Sequence, residues 1–444
     1  MCSGSSPVPA SSTAVSAATS TTSSCTPAPP DDRRCRTRRD VRLPPRGPAL
    51  ADTGRVTVPR ARTPSGPDRR SAWSTLVSGV SRLGKVPPLH VVLAVTGMLL
   101  LVGVVMVLSA SAGGRTVADG MVLTVFVRHL IFLLAGVAAF AAGMTLRPSV
   151  LRAWTPLLLL ACVVALVLVL VPGIGEVRGG ARRWISVGGF TVQPGEAVKV
   201  VLLLWGAHVL ALRGRAVRHA RYAVLPLVPV VMIVAALLML QPALSTTVAL
   251  GVVLVALLFF AGAPLGLIAA LSGGAVLGAT VLGLTAGYRR ERLTTFLGSG
   301  DELGAGYQSR QALLSLADGG LFGTGLGQGR AKWDYLPNAA NDFVFAVIGE
   351  ELGLLGGIAV LGLYAVLAWV GLRVAARTRD PFLRLVTAAT ATWVVVQAVM
   401  NVGYVVGLLP VTGQQLPLVS AGGTALVSTL FLLGLVANAA RRIR

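Results

Sequence analysis

The chain has 444 residues, 54% of them hydrophobic and only 13% charged. That excludes an ordinary soluble domain, in which about a quarter of the residues carry charge. The formal net charge is +22, but most of the arginines sit in the first 88 residues or in short connections between apolar runs. This placement argues for a membrane topology signal and against a nucleic-acid partner.

Residues 1–88 are rich in Ser, Thr, Pro, Ala and Arg and lack apolar periodicity. They read as a disordered, basic cytoplasmic tail, with no short apolar core of the signal-peptide kind. Cys2, Cys25 and Cys35 lie in this tail and Cys162 in an apolar run, with no disulfide or metal spacing.

Residues 89–444 read as an all-α integral membrane domain. Runs such as Leu158–Val171 and Val248–Phe260 carry no charge, and they do not alternate as barrel strands would. In lipid the backbone must pair internally, which leaves helices. About ten spans are expected, near 90–110, 121–145, 155–172, 196–213, 222–240, 244–262, 264–287, 342–371, 382–408 and 418–439. Arg147 and Arg152, Arg213 to Arg221, Arg373 to Arg384, and Arg441 to Arg444 then fall on one side. The positive-inside rule puts that side, and both termini, in the cytoplasm of a multi-pass plasma-membrane protein.

Two extracytoplasmic loops break the charge rule. One joins spans three and four. The other, about 288–341 between spans seven and eight, is too long to lack structure of its own. Tyr307–Ala317 within it reads as a short amphipathic helix stopped by Gly319 and Gly320. Arg289, Arg290, Arg292, Arg310, Arg330 and Lys332 lie there too. These cations fit an anionic ligand on the outer face, or an ordinary solvated loop.

Three stretches carry candidate chemistry. Arg182, Arg183 and Trp184 form a cationic patch with an interfacial ring. Close behind come Gln193 and, one helical turn apart on a shared face, Glu196 and Lys199. Charges so near hydrocarbon need a partner; the pair either pins the helix or organises a polar pocket. Asp342 stands where the long loop becomes a helix, as a helix cap or as a reactive acid. Glu350 and Glu351, about two turns deeper, should face a protein interior. Last, Leu409–Thr424 holds two prolines and three glycines. It reads as a tight external turn or as a re-entrant wall lining a cavity.

Four segments, GARRWISVGGFTVQPGEAVKV, GLFGTGLGQGRAKWDYLP, NDFVFAVIGEELGLLGG and LPVTGQQLPLVSAGGT, together resemble the SEDS family (shape, elongation, division and sporulation). The Ser-Ala-Gly-Gly-Thr ending is most similar to FtsW-type members of actinobacterial kind. The resemblance implies ten transmembrane helices and polymerisation of lipid II, the undecaprenyl-diphosphate-linked disaccharide-pentapeptide, into peptidoglycan strands at the division septum. It also implies a class B penicillin-binding protein and other divisome proteins as partners, besides membrane lipid. It makes Asp342 the catalytic base. It assigns substrate binding to Arg182, Arg183, Trp184, Gln193, Glu196, Lys199, Lys332, Ser420, Gly422 and Gly423, with Arg182, Arg183 and Lys332 as candidates for holding diphosphate. A divalent cation, magnesium or manganese, is a candidate to share that work, although no ligand cluster places it. The sequence departs from the family pattern at Ala243, where an aspartate is usual, and at Ser245, Gly195 and Ala340, where glycine, serine and histidine are usual. The alternatives are a lipid II flippase and, given Ala243, a catalytically weakened divisome scaffold.

Overall fold

The computed structural model describes residues 86–112, 122–178, 181–188, 190–285, 296 and 305–443. The tail and Arg289, Arg290 and Arg292 lie outside them. The described chain is an all-α bundle with one small sheet. Its helices are α1 (Pro88–Ser111), α2 (Val122–Thr145), α3 (Pro148–Leu170), α4 (Pro194–Arg213), α5 (Ala220–Leu240), α6 (Leu244–Ala261), α7 (Leu265–Thr285), α8 (Ala305–Gly319), α9 (Val344–Arg377), α10 (Pro381–Val405) and α11 (Gly423–Arg441). All but α8 are apolar. Nine of the remaining ten are long and apolar enough to cross a membrane, and α7 is the shorter one over its Leu265–Val281 stretch.

Each expected span has a helix in its place, but the seventh, 264–287, is matched only by the shorter Leu265–Val281 stretch, and the last starts at Gly423 rather than 418. α3 starts at Pro148, since proline at the first turn gives up no hydrogen bond. α8 extends the expected amphipathic helix by two residues at each end. An unexpected three-stranded antiparallel sheet, β1 (Gly175–Arg178), β2 (Ala181–Val187) and β3 (Phe190–Val192), fills the loop between α3 and α4.

Helices pack through small residues, as they must where lipid supplies no hydrophobic drive. A Cβ on Gly143 of α2 would strike the Phe431 carbonyl, and one on Gly434 of α11 would strike the Phe140 carbonyl. Asn438 locks the same seam by donating to the Gly143 and Leu146 carbonyls at 3.0 and 2.8 Å. At the arginine-rich end, Asp380 caps α10 by accepting from the Phe382 and Leu383 amides and pairs with Arg152.

α9 has 34 residues, about 51 Å of helix, well beyond the ~30 Å of a bilayer core. It is broken at Gly353, whose φ is +70. The glycine-rich loop after α8 is spliced into the break. Leu354 and Leu355 amides donate to the Gly320 and Leu321 carbonyls, and the Glu350 and Glu351 carbonyls accept from the Thr324 and Gly325 amides, at 2.9 to 3.2 Å. Replacing Gly353 with alanine costs about 1–2 kcal/mol for the left-handed backbone alone. The new Cβ would also strike Gly323 and Leu321. Gly353→Ala should therefore unfold several degrees below wild type in detergent thermal scans, whereas Gly362→Ala, which meets nothing within 4 Å, should not.

Candidate active site

Asp342 ends a tight turn at the end of the bundle opposite the arginines. Asn338, with φ +59, lets the chain reverse, and its carbonyl accepts from the Asn341 and Asp342 amides at 3.0 and 3.1 Å. The structure corrects the capping expectation: the residue that caps α9 is Phe343, without a side-chain hydrogen bond. Asp342 is half-buried and stands one residue before that cap, outside the helix.

The 409–424 segment forms the opposite wall. Gly413, with φ +65, faces the acid; a Cβ there would lie 3.4 Å from Asp342 Oδ2. The Ala421 amide donates to the Ala340 carbonyl at 3.0 Å. The segment enters the bundle rather than turning over its end. Leu416, Leu418, Val419 and Ser420 are buried, Tyr364 of α9 donates to the Pro417 carbonyl, and Leu418 packs on Gly103, in the middle of α1. The segment is therefore packed into the bundle and is not a tight external turn.

The predicted ligands divide by environment. Ser420 Oγ accepts from the Leu416 amide at 2.9 Å and braces the re-entrant segment from inside. Gly422 and Gly423 leave room for the Gln415 side chain and the Phe132 ring. The Gln193 amide donates to Thr424 Oγ1 at 3.3 Å, which ties the sheet and α4 to the same wall. Trp184 lies on β2 opposite Glu176. Arg182 and Arg183, on the same strand, reach carbonyls at the ends of neighbouring helices. Arg182 donates to Leu170 of α3 at 3.3 Å. Arg183 donates to Gln241 at 3.1 Å and to Pro242, just past α5. Cations belong at such negative dipole ends.

Lys332 is turned inward: its ammonium donates to the Gly327 carbonyl and lies 4.0 Å from Glu351. Glu350 accepts from the Arg330 and Ala331 amides, and Glu351 from Ser109 of α1 at 2.6 Å. Both glutamates are thus supports for the long loop. Asp318, Thr324, Gln328, Arg330 and Glu350 line a polar cavity of about 200 Å³, too small for even a drug-sized ligand.

Glu196 and Lys199 form a buried ion pair at 2.8 Å, with the ammonium 5.2 Å from the centre of the Trp393 ring. Ala243 is the residue before α6, buried and without a side-chain cap. A Cβ on Gly195 would meet only ordinary neighbours, at 3.4 Å or more, so the missing serine is not excluded by space. Among the described residues no three His, Cys, Asp or Glu side chains converge. Among those residues no side-chain cluster places the divalent cation that the resemblance suggests.

Sequence reasoning missed Arg128 of α2, which donates to Thr191 Oγ1 of β3 at 2.8 Å. A lone arginine near the end of an apolar run was the available signal.

The match to a family model for cell cycle proteins of the FtsW, RodA and SpoVE type covers residues 89–444. The chain belongs to this family. It is 46% identical over 353 residues to the Mycobacterium tuberculosis protein named "Probable peptidoglycan glycosyltransferase FtsW", covering 79% of this chain and 67% of the relative. It is 37% identical over 362 residues to stage V sporulation protein E of Bacillus subtilis, covering 81% and 99%. Among solved structures, a chain from work on polymerization and crosslinking by a peptidoglycan synthase complex aligns with TM-score 0.64 at 28% identity, covering 79% of this chain and 97% of that one. Thermus thermophilus RodA aligns with TM-score 0.58 at 27% identity, covering 79% and 96%. Within the FtsW/RodA/SpoVE fold, the Glu196–Lys199 pair poses a direct question, whether it pins a helix or serves substrate. Lys199→Met leaves a buried carboxylate unpaired and should cost about 3–5 kcal/mol. Glu196→Gln with Lys199→Met should recover most of that in thermal unfolding. If the double variant folds like wild type but makes no product, the pair serves substrate as well.

Proposed function

We propose that this protein is a peptidoglycan glycosyltransferase of the FtsW type, which polymerises lipid II into glycan strands at the division septum, with Asp342 as the base. One observation carries the chemistry. Asp342 is an acid placed outside its helix, half-buried, between a tight turn and the re-entrant wall.

The acceptor sugar hydroxyl attacks the anomeric carbon of the donor and passes its proton to the Asp342 carboxylate. The bond from that carbon to the lipid diphosphate breaks, and the diphosphate leaves with the bonding pair. Displacement from the opposite face inverts the centre, so an α-linked donor gives a β-linked strand. A diphosphate needs no general acid to leave, in contrast to the paired carboxylates of glycosidases. Arg182 and Arg183 are the candidates to hold it, with Arg128 added by the structure. The class B penicillin-binding protein belongs to the same proposal. Its support is the similarity to a chain studied in a synthase complex that both polymerises and crosslinks.

Purified full-length protein, supplied with labelled lipid II, should make glycan. Asp342→Ala should lower the rate at least ~100-fold, the low end for losing a general base, with unchanged thermal unfolding. Lipid movement between leaflets without product would favour a flippase. Partner binding with neither activity would favour the scaffold that Ala243 suggests.

A further inference from the structure

We infer that Asn401 of α10, assisted by Tyr404, is a positioning residue for the transfer reaction, holding Asp342 at a fixed distance from the re-entrant wall. The inference rests on the reading of Asp342 as the base.

Two main-chain carbonyls, those of Asp342 and Gln414, converge on one point in the protein interior. Asn401 Nδ2 donates to Asp342 O at 2.9 Å and to Gln414 O at 2.6 Å. Tyr404 Oη reaches the same two oxygens at 2.5 and 2.7 Å. Neither side chain is exposed beyond 1%. Converging carbonyls repel, because each presents the negative end of its dipole. They stay together only if donors lie between them. Asn401 Nδ2 also donates to Tyr404 Oη at 2.6 Å. An amide NH2 supplies two hydrogens and a phenol one, so three hydrogens serve three acceptor oxygens, the two carbonyls and the phenol.

The donors come from one helical face. Gln397, Asn401 and Tyr404 are spaced four and three residues apart, and Gln397 Nε2 extends the row by donating to the Gln415 carbonyl at 3.0 Å. The Tyr404 ring also stands edge-on to Phe343, the residue after Asp342, with centroids 5.6 Å apart. The turn that carries the acid and the loop that faces it are thus fastened to a common rigid helix rather than to each other alone. Gly413 lets the loop pass the carboxylate without a side chain in between.

A base must come within about 2.6–3.2 Å of the proton it takes, and a displacement of ~1 Å can cost about 100-fold in rate. Removing two of the three hydrogens at the clamp loosens the two walls, which the Ala421–Ala340 bond still joins, and shifts Asp342 without deleting any group that touches substrate. The effect should therefore fall on kcat.

The test uses full-length protein with labelled lipid II, reading kcat, KM and the unfolding temperature of each variant. Asn401→Ala should lower kcat at least 10-fold with KM within twofold of wild type. Tyr404→Phe keeps the ring and its contact with Phe343 and deletes one hydroxyl. It should lower kcat about threefold, again without change in KM, and it decides the matter alone if Asn401→Ala does not fold. Wild-type kcat in Tyr404→Phe together with wild-type kcat in Asn401→Ala, or losses of kcat matched by the loss of folded protein, would overturn the inference. Asp342→Asn separates the two levels. If it is inactive while both clamp variants turn over normally, the base reading stands and the positioning role fails. If Asp342→Asn remains active, the base reading falls and the positioning role falls with it.

Discussion

The structure depends on how the break in α9 is repaired. A helix interrupted inside a bundle leaves amides and carbonyls with no water to satisfy them, and each such group costs several kcal/mol in an apolar setting. Here the Gly320–Gly325 loop supplies the missing partners on both sides of Gly353. That repair fixes the end of the long loop against the bundle. The loop in turn brings Arg330, Ala331 and Lys332 onto Glu350 and Glu351. It also frees the part of α9 before the break from following the line of the lower span, so that this part can carry Asp342 to the outer end of α10.

Charge is handled differently in the two halves of this arrangement. Inside the bundle the acids have identifiable partners: Lys199 for one Glu196 oxygen, backbone amides for Glu350, Ser109 and Lys332 for Glu351. The second Glu196 oxygen is buried without a hydrogen bond, and removing either member of that pair would leave a costly unpaired charge. Asp342 sits outside the helix it precedes, at a half-buried turn. Arg182 and Arg183 lie against the carbonyl ends of α3 and α5. Helix ends and sheet therefore hold both guanidinium groups in place before any ligand arrives.

Much of this was legible in the sequence. Long uncharged runs fix the spans because lipid permits little else, and alternating arginine clusters fix their direction. Asp342, Glu196 and Lys199 were visible as charges in apolar surroundings. The sheet was not seen, although Glu176 to Val192 alternates β-branched and polar residues around Gly188 and Gly189, a strand-and-turn pattern masked by the adjacent membrane signals. The inward turn of Lys332 and the cap at Phe343 depend on contacts between residues distant in the chain, which local patterns do not encode. Asn401 and Tyr404 were overlooked because one asparagine and one tyrosine in a span carry no signal until the two carbonyls they serve are placed beside them.

The re-entrant segment has a consequence that reaches beyond the outer face. The Leu418 carbonyl and the Val419 backbone rest against α1 where Gly103 leaves no side chain, so the seat of the re-entrant segment is set in part by a transmembrane helix distant from it in the chain. A bulkier residue at Gly103 would press on that backbone directly, and the segment that faces Asp342 would have to shift to make room.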